Sequence, residues 1–454
     1  MKAMNWIILA VVVIVAILVV YWALAPSTSP AGPTTPTPKP LEFGGTIYIG
    51  YTGPLSGIAG PYGESALNGI KMAVEDINNG GGIVIGDKWY KMEVLAMDDK
   101  YYPPLAVANA VNLTKNGTKV IVCPHSGGIL ELQKINEKEP KFIVGAYTSS
   151  PSVLKGGNKL TLFMAPNFEI YHIPTMSDYF LQKGMLKAAI LPGTHSYAIE
   201  WASTFKDYWT RKGGKIVAEE SINYYVATNY TQNVSKVLAE KPDVILIIGP
   251  SLPVAGVIKT ARAMGYTGGF IISDQAKIDE IMYYLGIEYD FENKKVIKGD
   301  ISLLDKSIGT TSPCILAVLP EAALDPYTPY YRYMCEKLPP RLGNVPLNWE
   351  HVFNYEVTFI LAKAIEKAGS TDPEKIMEAM EKKTFPLDGY RGIPKYLHGA
   401  LLRVHPYGTI GILDLPSSDI VIEGGDLIPI LGITPKFWGQ EYSYRDSEGK
   451  VVWG

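Results

Sequence analysis

Thr46-Ile47-Tyr48-Ile49-Gly50-Tyr51, running into Thr52-Gly53-Pro54-Leu55-Ser56-Gly57, is the stretch from which the fold is read. Ile47 and Ile49 alternate with their neighbours, the period-two pattern of a strand with one buried face. Beyond the Gly/Pro/Ser turn, Ala66, Ile70, Ala73, Val74 and Ile77 recur at helical spacing, and Gly80-Gly81-Gly82 stops that helix. Lys91 to Met97 then reads as a strand, Ala106 to Leu113 as a helix and Lys119 to Cys123 as a buried strand. The order βαβαβ calls for a parallel sheet covered by helices.

A second series of the same kind starts near Met185. Lys187 to Leu191, Lys215 to Ser221, Asp243 to Ile248 and Gly269 to Ile272 read as strands, separated by helices at Ser196 to Lys212, Asn229 to Ala239 and Val254 to Met264. Two similar α/β lobes are expected. Further on, Val352 to Ala368 reads as a long amphipathic helix, Asp372-Pro373 opens another through Met380, and the tail from Leu401 is strand-rich.

Upstream of the lobes lies one apolar run, Trp6 to Ala25, behind Lys2. At the helical rise it reaches roughly 30 Å, enough to cross a bilayer once. Ala23-Leu24-Ala25 resembles a signal-peptidase site, but Pro26 would follow the cut, so an uncleaved anchor is expected, with its N-terminus cytoplasmic and the body facing outward. The first cysteine is Cys123, so no lipid attachment is expected near the boundary. From Pro26 to Pro40 the chain is rich in Pro, Thr and Ser, an extended stalk of up to about 45 Å. Sequons at Asn112, Asn116, Asn229 and Asn233 fit an exported surface.

The roughly 410 residues after the stalk suit two lobes with a site between them. A net charge of −3 offers no basic field, which excludes nucleic acid as a partner. Cys123, Cys314 and Cys335 cannot form a disulfide framework; a Cys314–Cys335 bridge and free buried thiols are both open. His125, His172, His195, His351, His398 and His405 never fall at zinc-hydrolase spacing, and neither a nucleophile elbow nor a phosphate-binding loop is present. No enzyme activity, cofactor or metal is therefore expected.

The motif Thr52-Gly53-Pro54-Leu55-Ser56-Gly57, then Tyr62-Gly63-Glu64, Asn68-Gly69, Ile77-Asn78 with its glycine run, and Asp98-Asp99 together resemble the opening of type I extracytoplasmic binding proteins. The resemblance is narrower still to the leucine/isoleucine/valine-binding branch that feeds ABC transporters. It continues through Ala364-Ile365-Glu366-Lys367-Ala368-Gly369-Ser370 and covers roughly Gly45 to Ile410. It implies an α/β fold of two Rossmann-like lobes joined by three crossovers, here expected near Phe163, Pro320 and Pro386. Lobe 1 would comprise residues 42–163 and 321–385, lobe 2 residues 164–320 and 386–414, with 415–454 a C-terminal extension.

For an amino-acid ligand the resemblance implies donors for the carboxylate on two lobe 1 loops, His125-Ser126-Gly127-Gly128 and Tyr147-Thr148-Ser149-Ser150-Pro151. Both precede helices, whose N-termini favour anions. Ser126 and Ser149 are either these donors or plain N-caps. Asp274 falls at the ammonium acceptor's place and could equally cap the helix near Ile278. Tyr62 and Tyr197 match aromatic cleft walls, whereas Pro250-Ser251 stands where family members carry an aromatic residue. His125 either contacts ligand or is structural, and Asp98 and Asp99 serve turn and cap chemistry.

The expected function is a membrane-anchored receptor of an ABC importer. It would capture a small solute, a branched-chain or other amino acid, and hand it to the permease subunits. The alternative is a sensory ectodomain binding an amide, amino acid or aromatic acid.

Overall fold

The computed structural model describes residues 40–165, 167–318, 328–343, 345–380, 402–404, 410–412, 419–429, 443–445 and 451–453. The apolar run, the stalk up to Lys39 and the crossovers expected near Pro320 and Pro386 lie outside them. Among the described residues no helix is long and apolar enough to cross a membrane.

The first sheet is built from β1 (Glu42–Gly53), β2 (Ile83–Ile85), β3 (Lys88–Asp98), β4 (Val120–Cys123), β5 (Ile143–Ala146) and β6 (Thr161–Phe163). Its helices are α1 (Gly60–Asn79), α2 (Pro103–Lys115), α3 (Ser126–Leu132) and α4 (Pro151–Lys155). β1, β4, β5 and β6 run parallel, with Ile49 opposite Val120 and Val122 opposite Gly145. Every residue of β4 and β5 is buried, which is why they read as unbroken apolar runs rather than alternating ones. The β2–β3 hairpin escaped the sequence reading because a three-residue strand is too short to show a period.

The chain then enters the second lobe through α5 (His172–Gln182). There β7 (Lys187–Pro192), α6 (Ser196–Arg211), β8 (Lys215–Glu219), α7 (Thr231–Ala239), β9 (Val244–Ile248), α8 (Ser251–Ala263), β10 (Gly269–Ile272) and α9 (Ile278–Leu285) alternate. A small hairpin, β11 (Glu288–Asp290) with β12 (Lys295–Lys298), precedes β13 (Ser307–Thr310). β8, β7, β9, β10 and β13 are parallel neighbours in that order.

After β13 come α10 (Pro313–Val318), α11 (Thr328–Lys337), α12 (Trp349–Ala368) and α13 (Pro373–Met380). Cys314 and Cys335 form a disulfide between α10 and α11 with their Cα atoms 5.5 Å apart, while Cys123 is free and buried. α12 differs from the amphipathic helix expected: it is buried on all sides from Trp349 to Ala362. Some of the polar groups of so enclosed a helix are met by its own backbone. Asn354 accordingly donates to the Glu350 carbonyl at 2.8 Å and Thr358 to the Asn354 carbonyl at 2.7 Å.

Two motif glycines have steric reasons. A Cβ at Gly69 on α1 would lie 2.3 Å from the His351 carbonyl oxygen of α12, and one at Gly63 would lie 1.8 Å from the Pro54 carbonyl oxygen. Only glycine lets α1 approach both, and α1 against α12 forms the centre of the first lobe. Each large apolar side chain fully buried there contributes about 1.5–3 kcal/mol.

The C-terminal strands correct the expected boundaries. β14 (Leu402–Val404) and β15 (Ile410–Ile412), expected in lobe 2, extend the first sheet, β15 lying parallel to β6. β16 (Asp419–Glu423) and β17 (Asp426–Pro429), expected beyond both lobes, extend the second sheet antiparallel to β13. The chain thus changes sheet between β15 and β16, while the crossover expected near Pro386 lies outside the described residues. The local pattern marks such strands but not which open sheet edge they join.

Candidate functional site

A cavity of about 50 Å³ opens where the loops after β3, β4, β5 and β10 converge. These are the carboxyl ends of parallel strands, where open α/β sheets present loop backbone and helix N-termini to a ligand. Its walls come from both lobes. Tyr62, His125, Ser126, Tyr147 and Ser149 belong to the first, Tyr197 and Asp274 to the second. Pro250, also singled out in the sequence, does not line it; it is the N-cap of α8.

Capping does not account for the serines. The N-cap of α3 is His125, whose Nδ1 accepts from the Gly128 N–H at 3.0 Å. That bond leaves the ring proton on Nε2, 2.9 Å from Asp99. His125 is therefore a capping residue that also lines the cavity. Ser126 Oγ is buried with no hydrogen-bond partner among the described residues. Ser149 precedes the N-cap of α4, Ser150, and its hydroxyl donates across the cleft to Asp274 at 2.6 Å.

Asp274 does not cap α9 either, since the N-cap is Lys277. Besides Ser149, the Asp274 carboxylate accepts from Tyr197 Oη at 2.5 Å and Trp201 Nε1 at 3.1 Å. Tyr197 thus positions the acid as well as walling the cavity. Tyr62 donates to the Pro124 carbonyl at 2.6 Å and stacks on Tyr147 at 6.3 Å between centroids.

Six lining residues escaped the sequence reading: Tyr101, Pro124, Ala165, Gln275, Lys277 and Glu350. Tyr101 is held by a local signal, the Asp98-Asp99 turn. Asp98 accepts from the Leu55 and Lys100 N–H groups and Asp99 from that of Tyr101. This permits left-handed backbone at Lys100 (φ 54°) and Tyr101 (φ 61°), strain that persists only where surroundings enforce it. The ring then stacks on His125 with centroids 4.7 Å apart.

Lys277 and Glu350 come from opposite lobes. Their ion pair is 2.6 Å long, with side chains only 5% and 3% exposed. Burial works to lower the Lys277 pKa, but the adjacent Glu350 carboxylate outweighs it and holds the ammonium form. Glu280, nearby on α9, is pushed up to about 7 by burial and by the charge of Glu350. Other contacts also bridge the lobes. Glu200 on α6 accepts from the Ser150 hydroxyl and from the Ser152 N–H at 2.9 Å, at the start of α4. Asn348 donates to Glu280 at 3.2 Å.

For a metal, Asp99, Cys123 and His125 place ligand-type atoms within 4.8 Å of one another. Both His125 nitrogens are already engaged in hydrogen bonds, which explains the cluster without an ion.

A family profile described as periplasmic binding protein matches residues 46–282, just over half of the chain. The chain is 24% identical over 344 residues to the leucine-, isoleucine-, valine-, threonine- and alanine-binding protein of Pseudomonas aeruginosa, a match covering 75% of this chain and 83% of that one. A Leu/Ile/Val/Thr-binding protein of Salmonella typhimurium is 24% identical over 235 residues, 51% of this chain and 62% of its own length. In three dimensions the chain is similar to the crystal structure of a leucine-binding protein from Thermotoga maritima. The TM-score is 0.63 at 18% identity, covering 84% of this chain and 97% of that one, a likeness that concerns the fold.

Proposed function

The chain belongs to the periplasmic binding protein family, in the type I form related to its leucine/isoleucine/valine-binding branch, and we propose that it captures a free α-amino acid between its lobes for delivery to an ABC permease. Solute binding outside the cytoplasm is the role of the family; the amino acid and the delivery are the proposal. The observation that carries it is the pairing, across one cavity, of an acid on lobe 2 with a hydroxyl loop on lobe 1. Asp274 stands ready for an ammonium, and the buried, unpartnered Ser126 hydroxyl lies at the N-terminal end of α3, where a carboxylate is favoured.

Ser149 already donates to Asp274, so a zwitterion would enter by replacing that contact. Its ammonium would take the Asp274 oxygen and its carboxylate the freed Ser149 hydroxyl together with Ser126. One charge-assisted bond is thereby exchanged for several, an ammonium–carboxylate contact at Asp274 and hydroxyl bonds to the ligand carboxylate. Such a ligand touches both lobes only when they are closed, and its binding energy favours that state.

A thermal-shift screen of the chain against the free amino acids tests the reading. A ligand at about one hundred times its Kd should stabilise by roughly 2.7 kcal/mol. Should every amino acid leave the melting curve unmoved at millimolar concentration while some non-amino solute shifts it, the amino-acid assignment fails.

A further inference from the structure

Beyond the residues facing an amino acid's head group, the same cavity carries a second polar cluster. Lys277 Nζ donates to Glu350 Oε1 at 2.6 Å and to the Asp274 carbonyl at 2.9 Å, which uses two of its three protons. Among the described residues Glu350 Oε2 is buried with no hydrogen-bond partner, and Gln275 Oε1 is in the same position. All three residues line the cavity. Residues of the wall therefore hold two buried acceptors without donors and, beside them, an ammonium with one proton left over from these two bonds.

We propose that this cluster recognises the side chain of the bound amino acid and that the side chain ends in a carboxamide. The inference rests on the amino-acid reading above and names its substrate class. A carboxamide carries two N–H donors on nitrogen and an acceptor oxygen beside it. The nitrogen can serve Glu350 Oε2 and Gln275 Oε1 while the oxygen accepts from Lys277. The competitors each fail on one count. A branched aliphatic side chain leaves all three groups unmet, and sites built for hydrogen bonds reject ligands lacking them by large factors. A carboxylate places like charge against Glu350, and an ammonium places it against Lys277. A hydroxyl has one proton for two acceptors.

Titration calorimetry on the full chain with L-glutamine, L-asparagine, L-leucine, L-isoleucine, L-valine, L-glutamate and L-lysine tests the proposal. One of the two carboxamides should bind at least tenfold more tightly than the aliphatic, acidic or cationic amino acids. Leucine, isoleucine or valine binding as tightly as the better carboxamide would overturn the side-chain assignment while leaving the amino-acid reading intact. Absence of binding by any of the seven would overturn both.

The variant comparison is the double substitution Lys277→Met/Glu350→Leu, because removing one member of a buried pair strands the other's charge. It should reduce the preference for carboxamide over leucine at least tenfold. An unchanged preference in a folded double variant would sink the assignment. Should that variant not fold, the wild-type panel alone decides.

Discussion

Ser126 and Asp274 differ in how free each side chain is before any ligand arrives. The Ser126 hydroxyl has no partner among the described residues, so Ser126→Ala should leave the melting temperature of the free chain unchanged. It should nevertheless weaken amino-acid binding about tenfold to a hundredfold, the worth of one hydrogen bond to a charged group. A variant that loses stability but not affinity would return Ser126 to a structural role. Asp274 holds Ser149, Tyr197 and Trp201, so Asp274→Ala should lower stability as well as affinity. The affinity loss, about thirtyfold to several thousandfold, follows from removing one partner of a desolvated charge pair. Calorimetry showing affinity within about twofold of wild type in a folded protein would dismiss Asp274 as the ammonium acceptor.

At the scale of elements, a buried ion pair fastens the C-terminal strand β16 to α5. His172 Nδ1 lies 2.8 Å from Asp419 Oδ1, with both side chains under 5% exposed. Burial works against protonation of His172, but the Asp419 carboxylate outweighs it and lifts the pKa to about 9. An imidazole raised in this way stabilises the fold fully below its unfolded pKa near 6.5, and that contribution fades as pH climbs through about 9. Roughly 3 kcal/mol is at stake. Chemical denaturation should therefore show stability falling between about pH 6.5 and 9.5, and Asp419→Asn should flatten that slope while lowering stability at pH 6. A slope unchanged in Asp419→Asn would assign the alkaline loss to another group.

For the whole molecule, closure is supported by contacts within the protein itself. Ser149–Asp274, Lys277–Glu350, the two serines on Glu200, and Asn348–Glu280 all cross between lobes. Glu200 touches the start of α4 rather than the cavity lining, so it biases closure without meeting ligand. Glu200→Ala should open the free protein. Its apparent affinity should then fall by the factor through which the closed population falls. Small-angle scattering should show a larger radius of gyration for free Glu200→Ala than for free wild type, converging at ligand saturation. Identical free profiles would mean that Glu200 does not control closure. Saturating ligand should also compact the wild type, and no change there would count against hinge motion.

The longer strands and helices of both lobes were legible because their signals are local, whereas the short β2, β11, β12 and β13 were not. Thr46 to Tyr51 alternates, Asp243 to Ile248 is continuously apolar, and Gly63 and Gly69 sit where no side chain fits. The hydroxyl loops and Asp274 came from the family resemblance rather than from a local period, and the structure places them on one cavity. Tertiary structure alone decided three things: the sheet edges taken by β14 to β17, the burial of α12 on every side, and the meeting of Lys277 with Glu350. Those two residues stand seventy-three positions apart, on different lobes. A strand or helix writes its period into neighbouring residues, whereas a charge pair across a cleft leaves no period, because its geometry exists only once two separately folded sheets close on one another.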